Sequence, residues 1–391
     1  MTANPGNVSG IGSSDRNGRP LWRSMNGGGV DTLRGTEGVW VPSRAERVDG
    51  GARDGTAVPG RVSMREVAER AGVGIASVSR VLSGHPDVSD VMRERVQAAV
   101  AELDYQPDLV AQSLRSRTSR SVGFVLSDIS NPLLSEIVHG AESVLRASGF
   151  SLLLTNSEDA PEFDADQIRQ LSRRRLDGLI VLPAAERHDD TSQALRAVGM
   201  PVVVVDRDMP PEVPTSYVLS DHGEGMRAAV RHLLELGHRR IGVVVGRDVR
   251  PSRERLRAIE VETDAASGVD VVVATGTLSV EHGRLAMAEM LDSGSPPTAV
   301  VLGGNLLLVG ALEVLRARGI DVGPELSVVS CDDVPLARLA LPPISVVARD
   351  AGAMGRAAAE LLLANVDGAP PETVLLPTTY LPRESCQPPP R

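Results

Sequence analysis

Met64-Arg65-Glu66-Val67-Ala68-Glu69-Arg70-Ala71-Gly72-Val73-Gly74-Ile75-Ala76-Ser77-Val78-Ser79-Arg80-Val81-Leu82 holds two short apolar stripes separated by a glycine break. Met64, Val67, Ala68 and Ala71 recur at helical spacing and so share one face. Gly72-Val73-Gly74 stops that helix, and Val78, Val81 and Leu82 mark a second one, ended by Ser83-Gly84-His85-Pro86. Val91, Val96, Val100 and Leu103 mark a third. Two helices joined by a tight glycine turn are the plan of a helix-turn-helix.

The texture changes on both sides of this segment. Residues 1–60 are rich in Gly, Ser, Asn, Asp and Arg and lack any apolar period. Such a stretch buries too little surface to offset its chain entropy and is expected to be disordered, as a regulatory tail or as the product of a start codon set too far upstream. Beyond Pro107 a short helical stretch, 108–114, leads into the basic Arg115-Ser116-Arg117-Thr118-Ser119-Arg120. Strand patterns then alternate with amphipathic helices: strands at 122–126, 151–155, 178–182, 202–206, 217–219, 241–245, 269–273, 299–302 and 326–331, helices at 133–148 and 223–236 among others. This alternation implies parallel, doubly wound sheets covered on both faces, and so many strands imply two lobes.

In a helix-turn-helix the second helix offers its N-terminal side chains to base edges in the major groove. Those positions are Ile75, Ala76 and, a turn later, Arg80. Arginine forks onto guanine O6 and N7, whereas Ile75 and Ala76 offer apolar contact, for example to a thymine methyl. Ser77 and Ser79 suit phosphate oxygens, which fix register without reading sequence. Between Arg61 and Arg120 nine arginines face eight acids, a net of +1, so counterion release contributes modestly to affinity.

The run from Met64 to Val73 with Ile75 to Leu82, then Leu103-Asp104-Tyr105-Gln106-Pro107 and Val110-Ala111-Gln112-Ser113-Leu114, resembles the head, third-helix end and hinge helix of the LacI/GalR repressors. The resemblance continues more loosely to about Pro382. It implies that Ser63 joins Ile75, Ala76, Ser77, Ser79 and Arg80 at DNA, that Leu114 wedges into the minor groove, and that Val110 and Ala111 pack the paired hinge helices of a dimer. Gly74 and Ser83 depart from the serine and asparagine common there, and glycine is the weaker helix cap. The implied fold is multidomain: an all-α helix-turn-helix head at 61–107, a hinge helix and linker at 108–120, and a periplasmic-binding-protein-like two-lobed α/β core at 121–384, with 385–391 as a tail. Lobe 1 is expected at about 121–219 and 347–370, lobe 2 at about 220–346 and 371–384.

Ligands in that fold lie between the lobes at the carboxyl ends of strands. Asp206 ends one strand, Asn305 follows the strand closing at Leu302, Asp332 ends another, and Arg255 opens the helix after 241–245. By resemblance these four match effector-contacting positions; acids and amides suit neighbouring hydroxyls, and arginine suits a hydroxyl pair or an anion. Leu133-Leu134, Leu278 and Leu306 stand where the family often has phenylalanines, a stacking aromatic and an acid, which counts against a typical sugar. The helix at 257–266 is acidic and poorly amphipathic, so an irregular lobe is expected around it.

The remaining composition sets limits. Net charge is −10 and aromatics make up 2%, so the cores rest on aliphatic side chains and the surface is not broadly basic. Lysine is absent, and all 41 basic residues are arginine. Cys331 and Cys386 are too few and too distant for a disulfide framework or metal cluster, consistent with a reducing cytoplasm. No signal peptide is visible, and the apolar runs are too short to span a membrane. No nucleophile elbow, phosphate-binding glycine loop or paired-histidine metal motif occurs, so neither enzyme, cofactor nor metal is expected; His238 beside Arg239 suggests a surface turn. The expected partners are double-stranded operator DNA, a sugar-like small molecule and a second copy of the chain. The competing readings are a two-lobed sugar-binding protein, which requires export, and a ligand-independent regulator.

Overall fold

The computed structural model describes residues 23–25, 62–82, 84–105 and 118–390, which fall into two compact units. The expected hinge helix, with Val110, Ala111 and Leu114, lies outside the described residues, as does nearly all of 1–60.

The head contains α1 (Met64–Ala71), α2 (Ile75–Leu82) and α3 (Asp90–Glu102). Ser63 starts α1 with a capping box. Its Oγ accepts the Glu66 N–H at 3.3 Å, while its own N–H donates to the Glu66 carboxylate at 2.7 Å. Gly72 ends α1 at φ +64, a left-handed cap that a side chain would strain, and a Cβ there would also meet Arg95 at 2.6 Å. Arg95 Nη2 donates to the Ala71 and Gly72 carbonyls at 2.6 and 3.2 Å, tying α3 to the turn. Val67, Ala68, Ala71, Val78, Val81, Val96 and Ala99 close the small core.

The larger unit holds two sheets. The first has the order β12-β6-β5-β4-β2-β3, built from β2 (Ser121–Leu126), β3 (Ser151–Asn156), β4 (Gly178–Leu182), β5 (Val202–Val205), β6 (Ser216–Asp221) and β12 (Thr373–Pro377), all parallel. The second runs β1-β8-β7-β9-β10-β11-β13, with β7 (Arg240–Val245), β8 (Asp270–Thr275), β9 (Ala299–Leu302), β10 (Ser327–Cys331) and β11 (Ser345–Ala348) parallel and β13 (Thr379–Leu381) antiparallel to β11. The three residues Arg23–Met25 form β1, parallel to β8, so this part of 1–60 is strand where no structure was expected.

Helices cover both faces of each sheet. On the first, α4 (Pro132–Ala147) and α12 (Ala351–Val366) cover one face, and α5 (Pro161–Ser172) and α6 (Asp189–Ala197) the other. On the second, α9 (Val280–Asp292) and α10 (Asn305–Arg318) oppose α7 (His222–Glu235) and α8 (Arg250–Asp264). The two inner helix pairs meet through glycine. A Cβ on Gly355 would lie 1.9 Å from the Ile137 carbonyl, and one on Gly310 2.0 Å from the Val280 carbonyl.

Several expectations need correction. The chain crosses between lobes after Asp221, after Ala348 and at Thr378, so β11 belongs wholly to lobe 2 and β12 to lobe 1. Thr378 joins two crossings: its hydroxyl donates to the Asp221 carbonyl at 2.6 Å and accepts the Gly225 N–H at 3.3 Å. The acidic segment is helix as expected, and the lobe around it is regular, because Arg255, Ala258, Ile259 and Thr263 form a buried stripe. Residues 385–387 are no loose tail: Ser385 is fully buried, its carbonyl accepts the Val328 N–H at 2.9 Å and its Oγ the Ser345 N–H at 2.8 Å. His238 is buried, bonded to Thr298 Oγ1 at 2.8 Å, Ser327 Oγ at 3.0 Å and the Gln387 carbonyl at 2.9 Å.

Candidate functional site

On the head, the face that α2 leaves uncovered carries the residues singled out from sequence. Val78 and Val81 point into the core, which turns Ile75, Ala76 and Arg80 outward and leaves Ser77 and Ser79 half-buried. Ile75 is 44% exposed, a large apolar side chain left in water at the helix start. The Ser77 and Val78 N–H groups bond the Gly74 carbonyl at 2.9 and 3.2 Å, so glycine suffices to start the helix. Ser63 is engaged in the capping box, with its Oγ donating to Glu66 at 2.8 Å. Of the head's arginines, Arg70 is tied to Glu102 and Arg95 to the turn, so both hold the three helices together.

In the larger unit the cleft between the lobes gathers three of the four sequence-selected residues, Asp206, Arg255 and Asp332; Asn305 sits beside it between Gly304 and Leu306. The empty volume is about 840 Å³, its solvent-open mouth included. Asp206 and Asp332 follow β5 and β10 at equivalent places in the two lobes, and both adopt left-handed backbone, φ +52 and +73. Aspartate visits that region more easily than most residues, but two such cases facing one cleft mark a constrained site.

Sequence reasoning missed the group that joins them. Arg349, at the crossover after β11, donates from Nε to Asp332 Oδ1 at 2.8 Å and from Nη1 to Asp206 Oδ2. All three side chains are nine-tenths or more buried. Burial opposes the charge on Arg349, but the two carboxylates outweigh it and hold the guanidinium protonated more firmly than a free one. Burial likewise opposes the charge on Asp206, yet His222 and Arg349 hold that carboxyl well below its usual range. The available signal was an arginine directly after a strand, the position from which the two aspartates were chosen.

His222 Nε2 lies 3.0 and 3.2 Å from the two Asp206 oxygens, while its buried Nδ1 has no partner among the described residues. Burial lowers its pKa to about 4, so near neutrality the ring is uncharged and Nε2 carries the proton donated to Asp206. Arg207 donates from Nε to the Pro183 carbonyl at 3.0 Å and from Nη1 to the Asp206 carbonyl at 2.9 Å.

Further bonds join the lobes around the cleft. Asn305 Nδ2 donates to Asn131 Oδ1 at 2.9 Å, and that same oxygen caps α4 through the Leu133 N–H. Arg247 pairs with Asp159 at 3.0 Å, and Arg253 with Glu186 and Asp208 at 2.6 and 2.9 Å. The Arg250 N–H donates to Glu186 at 2.6 Å. Lobe 2 thus presents arginines before and within the first turn of α8 to acids of lobe 1, and the lobes are closed on each other. The cleft walls are apolar: Leu133, Leu134, Ile137, Leu278 and Leu306, with no aromatic ring.

Comparison with known proteins gives the same two parts. The description "Bacterial regulatory proteins, lacI family" matches residues 63–108, and "Periplasmic binding protein-like domain" matches 230–386. The HTH-type transcriptional regulator CelR of Thermobifida fusca is 34% identical over 337 residues, 83% of this chain and 98% of CelR. The HTH-type transcriptional repressor PurR of Haemophilus influenzae is 29% identical over 308 residues, 78% of this chain and 91% of PurR. Among solved structures, the lac repressor dimer bound to operator and the anti-inducer ONPF matches with TM-score 0.76 at 28% identity, covering 84% of this chain and 99% of that one. The CelR–cellobiose complex matches with TM-score 0.63 at 33% identity, covering 83% and 100%. With its helix-turn-helix head, its two-sheet core and a relative this similar along nearly its whole length, the chain belongs to the LacI family of bacterial regulatory proteins.

Proposed function

We propose that this protein is a cytoplasmic, non-catalytic transcriptional repressor that binds a palindromic operator as a dimer and whose DNA affinity is set by a small molecule in the interlobe cleft. The observation that carries this reading is the outward face of α2, where a buried Val78–Val81 stripe fixes Ile75, Ala76 and Arg80 toward solvent. Arg80 is the long donor on that face and is assigned to guanine, while Ile75 and Ala76 make apolar contact and Ser77 and Ser79 contact phosphates. Leu114, Val110 and Ala111 keep the hinge roles that family resemblance gives them. That the lac repressor is solved as a dimer on operator, and CelR with cellobiose, supports the dimer and the ligand site. No helix among the described residues is long and apolar enough to cross a membrane.

The cleft supplies the switch. A ligand moves the DNA equilibrium only by binding one lobe arrangement better than another. Asp206 and Asn131 belong to lobe 1, and Asp332, Arg255 and Asn305 to lobe 2, so a ligand touching both sets distinguishes closed from open. The test is a mobility-shift titration of the full chain against DNA from upstream of its own gene, with unrelated duplex in excess. A retained shift supports the reading, and complete competition by unrelated duplex contradicts it.

A further inference from the structure

Four arginines and four aspartates line the cleft, but they are not paired one to one. Arg349 is matched by Asp206 and Asp332, each already in contact with it. Arg255 is 5% exposed and makes no ion pair among the described residues; its Nη1 donates to the Gly303 carbonyl at 2.6 Å, and its Nε has no partner. Arg207, also in the lining, donates to the Pro183 and Asp206 carbonyls and has the charges of Asp206, Glu186 and Asp159 near it. The two other acids lining the cleft are half-exposed and already engaged: Asp159 with Arg247, and Asp128 as acceptor from the Ser130 N–H and Oγ at 2.9 and 2.7 Å. A buried guanidinium with an idle N–H and no counter-charge is costly unless something else supplies the charge.

Other groups converge on the same corner. Helix α10 begins at Asn305 with Gly304 as a cap that offers no side chain, and Gly303, Gly304 and Leu306 at this helix start line the cleft. A helix start of this kind favours an anion. Asn305 Oδ1 is buried without a partner among the described residues, although its Nδ2 is bonded to Asn131. That oxygen needs a donor, which an anionic group alone does not provide. Leu278 leaves no aromatic face for a sugar ring, and Leu306 adds no carboxylate to the four aspartates, which are each already engaged.

We infer that the cleft takes a small hydroxylated anion, its carboxylate or phosphate seated between Arg255 and the start of α10 and a hydroxyl donating to Asn305 Oδ1. This inference rests on reading the cleft as the effector site. It is tested by calorimetric titration of the full chain with matched pairs: gluconate against glucose, galacturonate against galactose, and glucose 6-phosphate and ribose 5-phosphate against their parent sugars. At least one anion is expected to bind ten-fold or more tightly than its neutral partner, and more weakly as salt rises. Carboxylates and phosphates separate the two sources of the charge. Arg255→Gln is expected to remove that preference and Arg255→Lys to keep part of it, with folding of each checked by circular dichroism. A neutral sugar binding as tightly as its acid, an anion binding Arg255→Gln unchanged, or no anion binding at all would each overturn the inference. Because DNA binding is scored separately by mobility shift, any of these outcomes with an intact shift rejects the ligand class and leaves the repressor reading standing.

Discussion

Replacing Arg349 by methionine keeps most of the apolar stem and deletes the charge that joins Asp206 to Asp332. Arg349 is nine-tenths buried and bonded to two carboxylates that are themselves almost fully buried. Removing one member of a buried ionic network costs about 3–5 kcal/mol, because the partners stay desolvated and uncompensated. Asp206 keeps the His222 bond and the Ser220 N–H at 3.2 Å, while Asp332 loses the ion pair it had, so the upper half of that range is expected. For a domain of this size the loss lowers the melting temperature by roughly 8–20 °C. The pH dependence gives a second reading. In the wild type the folded pKa of Asp206 lies below its unfolded value, so its stabilisation is present above about pH 4 and is lost only as pH falls further. In the variant both carboxyls stay buried without the guanidinium, and the pull that lowers the folded pKa of Asp206 is weakened, so that pKa moves upward from its wild-type position. The stabilisation lost with Arg349 is then full at pH 7.5 and shrinks as pH falls and Asp206 protonates. Thermal unfolding followed by circular dichroism at pH 7.5 and pH 5 should show a large deficit that narrows at the lower pH. Melting within 1 °C of wild type at pH 7.5, or a deficit that widens at pH 5, would refute this account of the cleft.

Two further titrating groups give measurable consequences. His222, held at about 4 by burial, is neutral in the folded chain where the unfolded chain takes up a proton, so stability falls as pH drops from about 6.5 to 4, by up to about 3 kcal/mol. His222→Gln, which still donates to Asp206, should flatten urea-unfolding stability across that window; an unchanged slope would exclude His222 as its source. Asp164 is raised to about 6 by burial, and one of its oxygens has no partner while the other accepts the Ala184 N–H at 2.8 Å. Its folded pKa exceeds the unfolded one, so it costs stability progressively above about pH 4. Asp164→Asn should therefore gain about 1–2 kcal/mol at pH 7.5 and nothing at pH 4.5, and a loss at both pH values would contradict the assignment.

Much of the architecture was legible because strands covered on both faces appear as uninterrupted aliphatic runs. Val202–Val205 is four valines bounded by Pro201 and Asp206, and it forms the centre of the first sheet. The head was legible through its glycine break, since Gly72 occupies the left-handed position that such a turn requires. Lobe membership near the carboxyl end was not, because Thr373–Pro377 and Thr379–Leu381 are one short stretch divided by a crossover at Thr378, which only tertiary pairing decides. Helix α8 hid its period because the first member of its buried stripe after Ser252 is Arg255, which any hydrophobicity pattern counts as polar. His238 was misjudged from its neighbours in sequence, whereas its ring bonds come from residues sixty and more positions away. Asp206 and Asp332 were found by their place at strand ends, but their mutual tie through Arg349 depends on closing two lobes, which no local pattern records.

The account turns on whether α2 reads base sequence through Arg80. The most direct measurement is selection of bound duplexes from a random pool by the full chain, run in parallel with Arg80→Ala. The wild type should enrich a palindrome with a guanine in each half-site. The variant should lose about 1–3 kcal/mol per half-site and its preference at that symmetric pair of positions, while melting as the wild type does. A wild-type pool that stays random, or a variant that enriches the same guanine, would contradict it.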